Sequence, residues 1–198
     1  MLTLAFVVSA YLLGSISFAV LMSKAFSLPD PRTYGSQNPG ATNVLRSGQK
    51  AAAALTLVGD AAKGTVAVVM AQLYAPENYT LIAAVALAVF LGHLFPIFLR
   101  FKGGKGVATA LGVFLALNVW LGLACFATWL LVALVFRQSS LAALLAAVLT
   151  PLYAFLLNLP REFLLVATVL SLLLIWRHKS NIQNLLAGKE GKIGSKKE

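Results

Sequence analysis

Three glycines and two lysines lie together in the segment FKGGKG, residues 101–106. Glycines let backbone N–H groups close around an anion, and Lys105 adds a positive charge. The apolar helix predicted to begin near Val107 would point the positive end of its dipole into this segment. It is not a Walker A loop, because its second lysine is followed by glycine instead of Ser or Thr. We expect a phosphate-binding loop formed by Gly103, Gly104 and Lys105; the alternative is a surface loop whose lysines contact anionic lipid headgroups.

A second polar stretch, RTYGSQNPGATNVLRSGQK at residues 32–50, is rich in Gly, Asn, Ser and Thr. These residue types tolerate unusual backbone angles and present amide and hydroxyl donors. The stretch includes Arg46, whose planar guanidinium suits two-point recognition of a phosphate. The composition fits a binding loop, and it fits an ordinary solvated loop equally well.

A third polar stretch begins at Arg177, directly after the last apolar segment. His178 and Asn181 are three residues apart, so they share one face if helical order continues. The alternative for His178 is contact with lipid headgroups at the membrane interface. The lysines of residues 189–197 show no specific pattern, and we expect this part of the chain to be a solvated tail.

Few acidic or nucleophilic groups accompany these stretches. Asp30 is the only carboxylate in the two loops at 27–50 and 100–107 that contain the first two stretches, while Glu190 and Glu198 lie far along the tail. These acids and two separated histidines are too few for a magnesium or zinc site, so we expect no metal and no other cofactor. The chain also lacks a G-x-S-x-G motif and a His/Asp acyltransferase arrangement, so we expect no covalent acyl-enzyme.

The elements that must position these stretches are membrane helices. Of 198 residues, 60% are hydrophobic and 11% are charged, and the mean hydropathy is +0.86, which is typical of an integral membrane protein. The net charge of +10 does not indicate nucleic acid, because cytoplasmic loops of membrane proteins are enriched in Lys and Arg. We expect one membrane domain over residues 1–198, surrounded by lipid and without an obligate protein partner. Its polar loops would lie at 27–50 and 100–107 and its basic tail at 177–198, while Cys125 would be a buried apolar residue.

Hydropathy predicts an all-α fold with seven transmembrane helices. The predicted bounds are Leu2 to Ser23, Ala51 to Tyr74, Tyr79 to Leu99, Val107 to Leu117, Val119 to Phe136, Leu141 to Leu157 and Glu162 to Trp176. The fourth helix is short, but merging it with the fifth would place the basic tail opposite the other basic loops, against the positive-inside rule. The N-terminus is therefore expected outside and the C-terminus in the cytoplasm. Small residues at spacings of four in the fourth helix predict close packing against a neighbour; they are Gly104, Ala108, Gly112 and Ala116.

The segments GSQNPGATNVLR, GHLFPIFLRFKGGKGVAT and RHKSNI occur in this order and with intervals that resemble the three motifs of the bacterial acyl-phosphate:glycerol-3-phosphate acyltransferases. The resemblance covers nearly the whole chain. It implies transfer of an acyl chain from acyl phosphate to the 1-hydroxyl of glycerol 3-phosphate, giving lysophosphatidic acid and phosphate in the first step of phosphatidic acid synthesis. It also implies a site at the cytoplasmic face of the bacterial inner membrane. The implied site residues are Ser36, Asn38, Gly40, Thr42, Asn43, Arg46, Gly103, Gly104, Lys105, His178 and Asn181.

Two positions depart from the family pattern. Gln37 stands where the family usually has glycine, and Asn184 stands where a basic residue is common. The first departure puts in question whether residue 37 adopts the backbone angle of a glycine. The second puts in question how the tail contacts the substrate.

The implied chemistry requires no strong protein base, because an acyl phosphate is already activated. We hypothesise that a phosphate oxygen of the donor takes the proton of the glycerol hydroxyl, while Lys105 and Ser36 hold that phosphate. The residues that would orient glycerol 3-phosphate are Arg46, His178 and Asn181. His178 would do so by donating a hydrogen bond and not by acting as a base.

A transporter for an organic phosphate is the alternative function. Asp60 and Lys63 lie three residues apart inside the second span, where charges are costly and often functional. They can also be explained as an internal ion pair that braces the first two polar loops. The polar stretches gather at one interface, whereas carriers place their sites near the membrane midplane, which favours the enzyme.

Overall fold

The computed structural model describes residues 2–193, and this part of the chain contains ten α-helices and no β-strand. The helices are α1 (Leu2–Gly14), α2 (Phe18–Ala25), α3 (Ala41–Leu45), α4 (Lys50–Tyr74), α5 (Tyr79–Leu94), α6 (Val107–Leu117), α7 (Val119–Phe136), α8 (Ser139–Leu156), α9 (Arg161–Arg177) and α10 (Lys179–Leu186). The predicted all-α class is confirmed. The end of the predicted basic tail, residues 194–198, lies outside the described residues.

Four segments of the described chain are long and apolar enough to cross a membrane: α4, the segment Tyr79–Leu99 that contains α5, α7 and α8. Two bent pairs, α1 with α2 at 43° and α9 with α10 at 58°, raise the number to six if each pair is one span. Helix α6 is apolar but has only 11 residues. Seven crossings and their orientation therefore stay predictions.

The first predicted span, Leu2 to Ser23, is not one helix. The chain leaves the helical conformation after Gly14 and starts a new helix at Phe18. Ser17 lies before the new helix in an extended conformation, and its hydroxyl accepts a hydrogen bond from the backbone N–H of Val20 at 3.4 Å. The serine thus acts as an N-cap, which a hydropathy profile does not detect.

Tertiary packing stabilises this break between α1 and α2. Gly14 lies so close to the backbone of Val89 in α5 that a Cβ atom would not fit. The carbonyl oxygen of Ile16 lies outside both helices, and Nζ of Lys63 donates a hydrogen bond to it at 2.6 Å. A lysine inside α4 therefore satisfies a backbone group that the break releases.

Helix α5 ends at Leu94, five residues before the predicted bound of Leu99. Pro96 explains the early end, because proline lacks an N–H and disfavours helical geometry at the preceding residue. A short 3-10 turn follows at Ile97–Leu99. The chain then turns back towards the bundle to begin α6.

The short helix α6 packs against α4, as its small residues predict. A Cβ atom on Gly112 would lie 2.7 Å from the carbonyl carbon of Ala61, so only glycine permits this approach. The hydroxyl of Thr65 donates a hydrogen bond to the carbonyl of Gly112 at 2.9 Å. Because α6 also contacts α7, it lies between two longer helices, while α8 and α9 complete the bundle.

Candidate active site

A cavity of about 460 Å³ lies at the end of the bundle where α4 and α6 begin and α9 ends. Four segments of the chain form its polar wall: residues 36–50, residues 105–108, the start of α8 at 139–140, and residues after α9 that include 190–193. The three polar stretches, which the sequence places at one membrane interface, therefore meet in space at one cavity.

Nine of the predicted site residues line this cavity. They are Ser36, Asn38, Gly40, Thr42, Asn43, Arg46, Lys105, His178 and Asn181. The cavity wall also contains the start of α6, whose first backbone N–H groups have no helical partner and carry the positive end of the helix dipole. Basic side chains and these N–H groups suit a phosphate.

Gly103 and Gly104 were expected to wrap a phosphate, but they do not line this cavity. Both are buried, and their carbonyl oxygens accept hydrogen bonds from Arg177, at 2.9 Å for Gly103 and 3.2 Å for Gly104. The N–H of Gly104 donates to the carbonyl of His93 at 3.2 Å. The two glycines permit close packing of the loop on the end of α5, while Lys105 faces the cavity, and phosphate binding by the glycines stays a prediction.

Lys105 belongs to a network of polar side chains. Its Nζ donates a hydrogen bond to Oδ1 of Asn181 at 2.6 Å, and Nδ2 of Asn181 donates to Oε1 of Glu190 at 2.8 Å. The hydroxyl of Ser140 donates to the same carboxylate oxygen at 2.7 Å. Burial lowers the pKa of Lys105, while the carboxylate of Glu190 acts to raise it. The network holds the ammonium group at the polar end of the cavity.

Glu190 is a site residue that the sequence interpretation missed. The tail was expected to be solvated, but residues 190–193 line the cavity. The backbone N–H of Ile193 donates to the carbonyl of Arg137 at 2.6 Å, which holds the segment against the start of α8. One acid among lysines gives no sequence signal of such a contact, because only the fold brings it to Ser140 and Asn181.

Asn43 supports the first loop with its side chain. Its Oδ1 accepts a hydrogen bond from the N–H of Ser36 at 2.9 Å, and its Nδ2 donates to the carbonyls of Pro31 at 2.6 Å and Tyr34 at 3.2 Å. The residue is almost fully buried. Its amide thus supports the loop, and because Asn43 also lines the cavity, direct contact with substrate stays a prediction. Ser36 and Arg46 remain available from the same loop.

The backbone angle at Gln37 is one that glycine adopts more readily than glutamine. Gln37 has a φ of 56°, and the nearby Gly35 has a φ of 58°. Both values lie in the left-handed region, which costs free energy for any residue with a Cβ atom. The chain keeps the loop conformation despite the glutamine.

His178 is buried at the end of α9, and its Nδ1 lies 2.8 Å from the carbonyl oxygen of Leu174. A carbonyl only accepts hydrogen bonds, so Nδ1 carries a proton and Nε2 of the neutral ring is an acceptor. Burial lowers the pKa of His178 to about 4, so the ring is neutral at neutral pH. The Nδ1 donor is thus used by the backbone, which leaves Nε2 as an acceptor, and contact of His178 with substrate stays a prediction.

The other part of the cavity is apolar and extends between α6, α7, α8 and α9. Its wall includes Leu111, Phe114, Phe126, Trp129, Ala143 and Ala147. Ser139 and Thr150 of α8 both line the cavity, which corresponds to about 16 Å along the helix at about 1.5 Å per residue. The thiol of Cys125 lies 3.2 Å from the hydroxyl of Thr150. A ligand with a phosphate and a long apolar chain fits this combination.

Two buried charged residues lie beneath the polar wall. Nζ of Lys63 lies 2.8 Å from Oδ1 of Asp60, which confirms the predicted internal ion pair. Asp60 and His93 both contribute to the cavity lining. Within residues 2–193, no three His, Cys, Asp or Glu side chains are grouped as metal ligands would be.

A family model, curated relatives and solved structures all match this chain, and all are glycerol-3-phosphate acyltransferases. The family model described as glycerol-3-phosphate acyltransferase matches residues 4–188. A glycerol-3-phosphate acyltransferase of Herminiimonas arsenicoxydans is 61% identical over 99% of this chain and 97% of its own length, and that of Ralstonia pickettii is 61% identical over 99% and 96%.

Solved structures agree with these relatives. The crystal structure of PlsY, an integral membrane glycerol 3-phosphate acyltransferase, in its glycerol 3-phosphate form matches with a TM-score of 0.93 at 39% identity. The match covers 98% of this chain and 96% of that chain. The lysophosphatidic acid form of PlsY matches with a TM-score of 0.92.

Proposed function

The chain belongs to the glycerol-3-phosphate acyltransferase family, and we propose that its acyl donor is an acyl phosphate and its acceptor the 1-hydroxyl of glycerol 3-phosphate. Membership of the glycerol-3-phosphate acyltransferase family, which the three sequence motifs implied, is confirmed. The chain is an integral membrane acyltransferase. The proposal adds the donor, the position acylated and the assignment of residues to the reaction.

The proposal rests on one observation: a polar wall and an apolar wall belong to the same cavity. Arg46 and Lys105 lie at its polar end, and Phe114 and Trp129 lie along its apolar part. A phosphate-bearing headgroup and an acyl chain can therefore bind at the same time, each in surroundings that suit it. Both proposed substrates carry a phosphate, which accounts for more than one cation at the polar end.

The proposed reaction is a direct transfer. The 1-hydroxyl oxygen of glycerol 3-phosphate forms a bond to the carbonyl carbon of the donor, and the bond from this carbon to the phosphate oxygen breaks. The hydroxyl proton passes to an oxygen of the departing phosphate, so the products are lysophosphatidic acid and inorganic phosphate. Lys105 and Ser36 hold the donor phosphate, and Arg46 binds the phosphate of the acceptor. These groups stabilise the charge that moves onto the leaving group.

His178 fits an orienting role in this scheme. Its neutral ring offers Nε2 as an acceptor to a hydroxyl of glycerol 3-phosphate, because Nδ1 donates to Leu174. A conjugate acid with a pKa of about 4 makes the imidazole a weak base at neutral pH. The donor phosphate is then the stronger candidate for the proton acceptor.

We further propose that the cavity faces the cytoplasm of a bacterial cell, with the N-terminus outside. Helix α4 runs from the cavity to the opposite end of the bundle, where residues 75–80 and Glu162 form a shallow depression.

In a Cys125→Ala background, an impermeant thiol reagent applied to intact cells should label cysteines introduced at Asn78 and Asn158. Cysteines introduced at Ser47 and Ser139 should react only after the membrane is opened, and the reverse pattern would invert the orientation.

The proposed function is tested with purified protein in detergent. Phosphate should be released when acyl phosphate and glycerol 3-phosphate are both present, and lysophosphatidic acid should form in equal amount. Acyl-coenzyme A should not replace acyl phosphate, and a chelator should leave the rate unchanged. Uptake of an organic phosphate into sealed vesicles without an acylated product would overturn the enzyme proposal in favour of a transporter.

A further inference from the structure

Asp60, Lys63 and His93 form a buried polar cluster where α4 meets α5. The side chains of Lys63 and Asp60 are 1% and 3% exposed, and their charged atoms lie 2.8 Å apart. Nδ1 of His93 lies 3.6 Å from the same oxygen of Asp60. The proposed reaction assigns no step to these three residues.

The cluster contacts two places where the backbone leaves helical geometry. On one side, Lys63 donates to the carbonyl of Ile16 at the break between α1 and α2. On the other side, the carbonyl of His93 accepts the N–H of Gly104 at 3.2 Å. The imidazole of His93 also lies against Gly104, because a Cβ atom there would collide with Nε2 of the ring. A continuous series of contacts therefore leads from the α1–α2 break to the residue before Lys105.

Stability alone does not explain a buried ion pair at this position. Removing two charges from water is costly, and well-packed apolar residues in their place are often neutral or stabilising. A charged pair is explained more directly by what it contacts, since an apolar side chain could not hydrogen-bond to Ile16 or attract the imidazole of His93. Asp60 connects these two contacts, because the same carboxylate oxygen faces Lys63 and His93.

We propose that Asp60, Lys63 and His93 are positioning residues that fix Gly104 and thereby hold the ammonium of Lys105 at the polar end of the cavity. Arg177 anchors the same loop from the other side through the carbonyls of Gly103 and Gly104. The loop is thus held between α5 and α9, and Lys105 extends from it towards Asn181. The catalytic meaning of this placement rests on the proposed function, but the placement itself can be measured without substrate.

The test compares single and double replacements. Asp60→Asn or Lys63→Met leaves one buried charge without its partner, so each should destabilise the protein. The double variant Asp60→Asn/Lys63→Met removes both charges and should recover folding, as judged by monodisperse elution and melting in detergent. We expect the folded double variant to lose at least about tenfold in kcat/KM, because small displacements of a catalytic group are costly. Wild-type kcat/KM in the folded double variant would overturn the proposal.

A second measurement reports the loop without relying on activity. In a Cys125→Ala background, a cysteine introduced by Lys105→Cys should be alkylated slowly with the cluster intact and at least about tenfold faster with Asp60→Asn/Lys63→Met. A cysteine introduced by Gln49→Cys, in the exposed turn before α4, should react at the same rate in both backgrounds. An unchanged alkylation rate at position 105 would overturn the positioning proposal, whichever acyl donor the enzyme uses. A wild-type protein without acyltransferase activity would contradict only the proposed function.

If the double variant does not fold, replacements of His93 test the same proposal. His93→Asn can keep an amide near the position of Nδ1, whereas His93→Leu cannot interact with Asp60. We expect the Asn variant to retain several-fold more activity and slower alkylation at position 105 than the Leu variant. Equal values for the two variants in both measurements would show that the imidazole only fills space.

Discussion

Lys105 and Asn181 are 76 residues apart in the chain, and Nζ of the lysine donates a hydrogen bond of 2.6 Å to Oδ1 of the asparagine. This contact joins the second and third polar stretches into one unit. Glu190 extends the unit by accepting from Asn181, so a carboxylate balances part of the positive charge before any anion binds. The arrangement orients the ammonium group in advance, which is the condition for stabilising a phosphate that gains charge during the reaction.

Lys105→Ala should reduce kcat/KM by at least about 100-fold, because loss of a donor to a developing anion costs roughly 3 kcal/mol. Lys102→Ala is the matched control. Lys102 is exposed and does not line the cavity, so its removal should have a much smaller effect. Steady-state kinetics of both variants decide the point, and equal losses at the two lysines would show that the phosphate position has been misassigned.

His178→Gln should retain substantially more activity than His178→Ala. The amide oxygen of glutamine can accept a hydrogen bond from a glycerol hydroxyl, but glutamine cannot act as a base near neutral pH. The loss in the Gln variant should appear mainly in KM for glycerol 3-phosphate. If the Gln variant is as inactive as the Ala variant at saturating substrate, and wild-type kcat follows one ionisation near that of histidine, His178 is the base and the phosphate-as-base mechanism is wrong.

The free energy of unfolding should fall as the pH is lowered from about 6.5 towards 4, in part because of His178. Burial lowers its pKa from 6.5 to about 4, so between these values the unfolded chain binds a proton that the folded protein does not. The unfolded state is therefore favoured as the pH falls through this window, and the contribution is constant above it. Melting temperatures in detergent should show a smaller decrease over the same pH range for His178→Gln. An identical decrease in the two proteins would contradict a neutral, buried His178.

The sequence predicted the parts of the site that depend on residue type. Arg46 and Lys105 were recognised because cationic groups lie in glycine-rich loops between apolar segments, and Asn181 because it follows the last apolar segment three residues after His178; the structure brings all three to one cavity. The helices themselves follow from runs of apolar residues, which explains why most of the predicted bounds lie within about two residues of the observed ones.

The missed features depend on contacts between segments distant in the chain. The break after Gly14 requires the backbone of Val89 and the side chain of Lys63, and hydropathy reports neither. Glu190 reaches the site only because residues 190–193 fold back onto α8. Gly104 shows the same limit in another way: the sequence identified the glycine, but it did not reveal that the residue packs against the imidazole of His93.

Gln37→Gly should stabilise the protein by about 1 kcal/mol, because glycine adopts the left-handed conformation without the penalty of a Cβ atom. Gln49→Gly is the control. Gln49 has a φ of −86°, so glycine there relieves no left-handed strain and should change the stability less. The melting temperature should rise clearly more for Gln37→Gly than for Gln49→Gly. A destabilised Gln37→Gly variant would mean that the glutamine side chain makes contacts that outweigh the backbone penalty.

Ala147→Leu should shift the preference of the enzyme towards shorter acyl chains. Ala147 is buried in the apolar wall of the cavity, about 12 Å along α8 from Ser139 at about 1.5 Å per residue. A larger side chain there excludes the far end of a long chain, and each excluded methylene forgoes about 0.8 kcal/mol of apolar burial. Exclusion of two methylenes would therefore lower kcat/KM for long donors by about tenfold, while short donors should react nearly as before.

The control for this prediction is Val148→Leu. Val148 is the next residue of α8, but it is 59% exposed on the outer surface of the bundle and does not line the cavity. Its replacement should leave the ratio of rates for long and short donors unchanged. The measurement is kcat/KM for a series of acyl phosphates of increasing chain length with wild type and both variants. A uniform decrease for all lengths in Ala147→Leu would show that the acyl chain does not lie along α8.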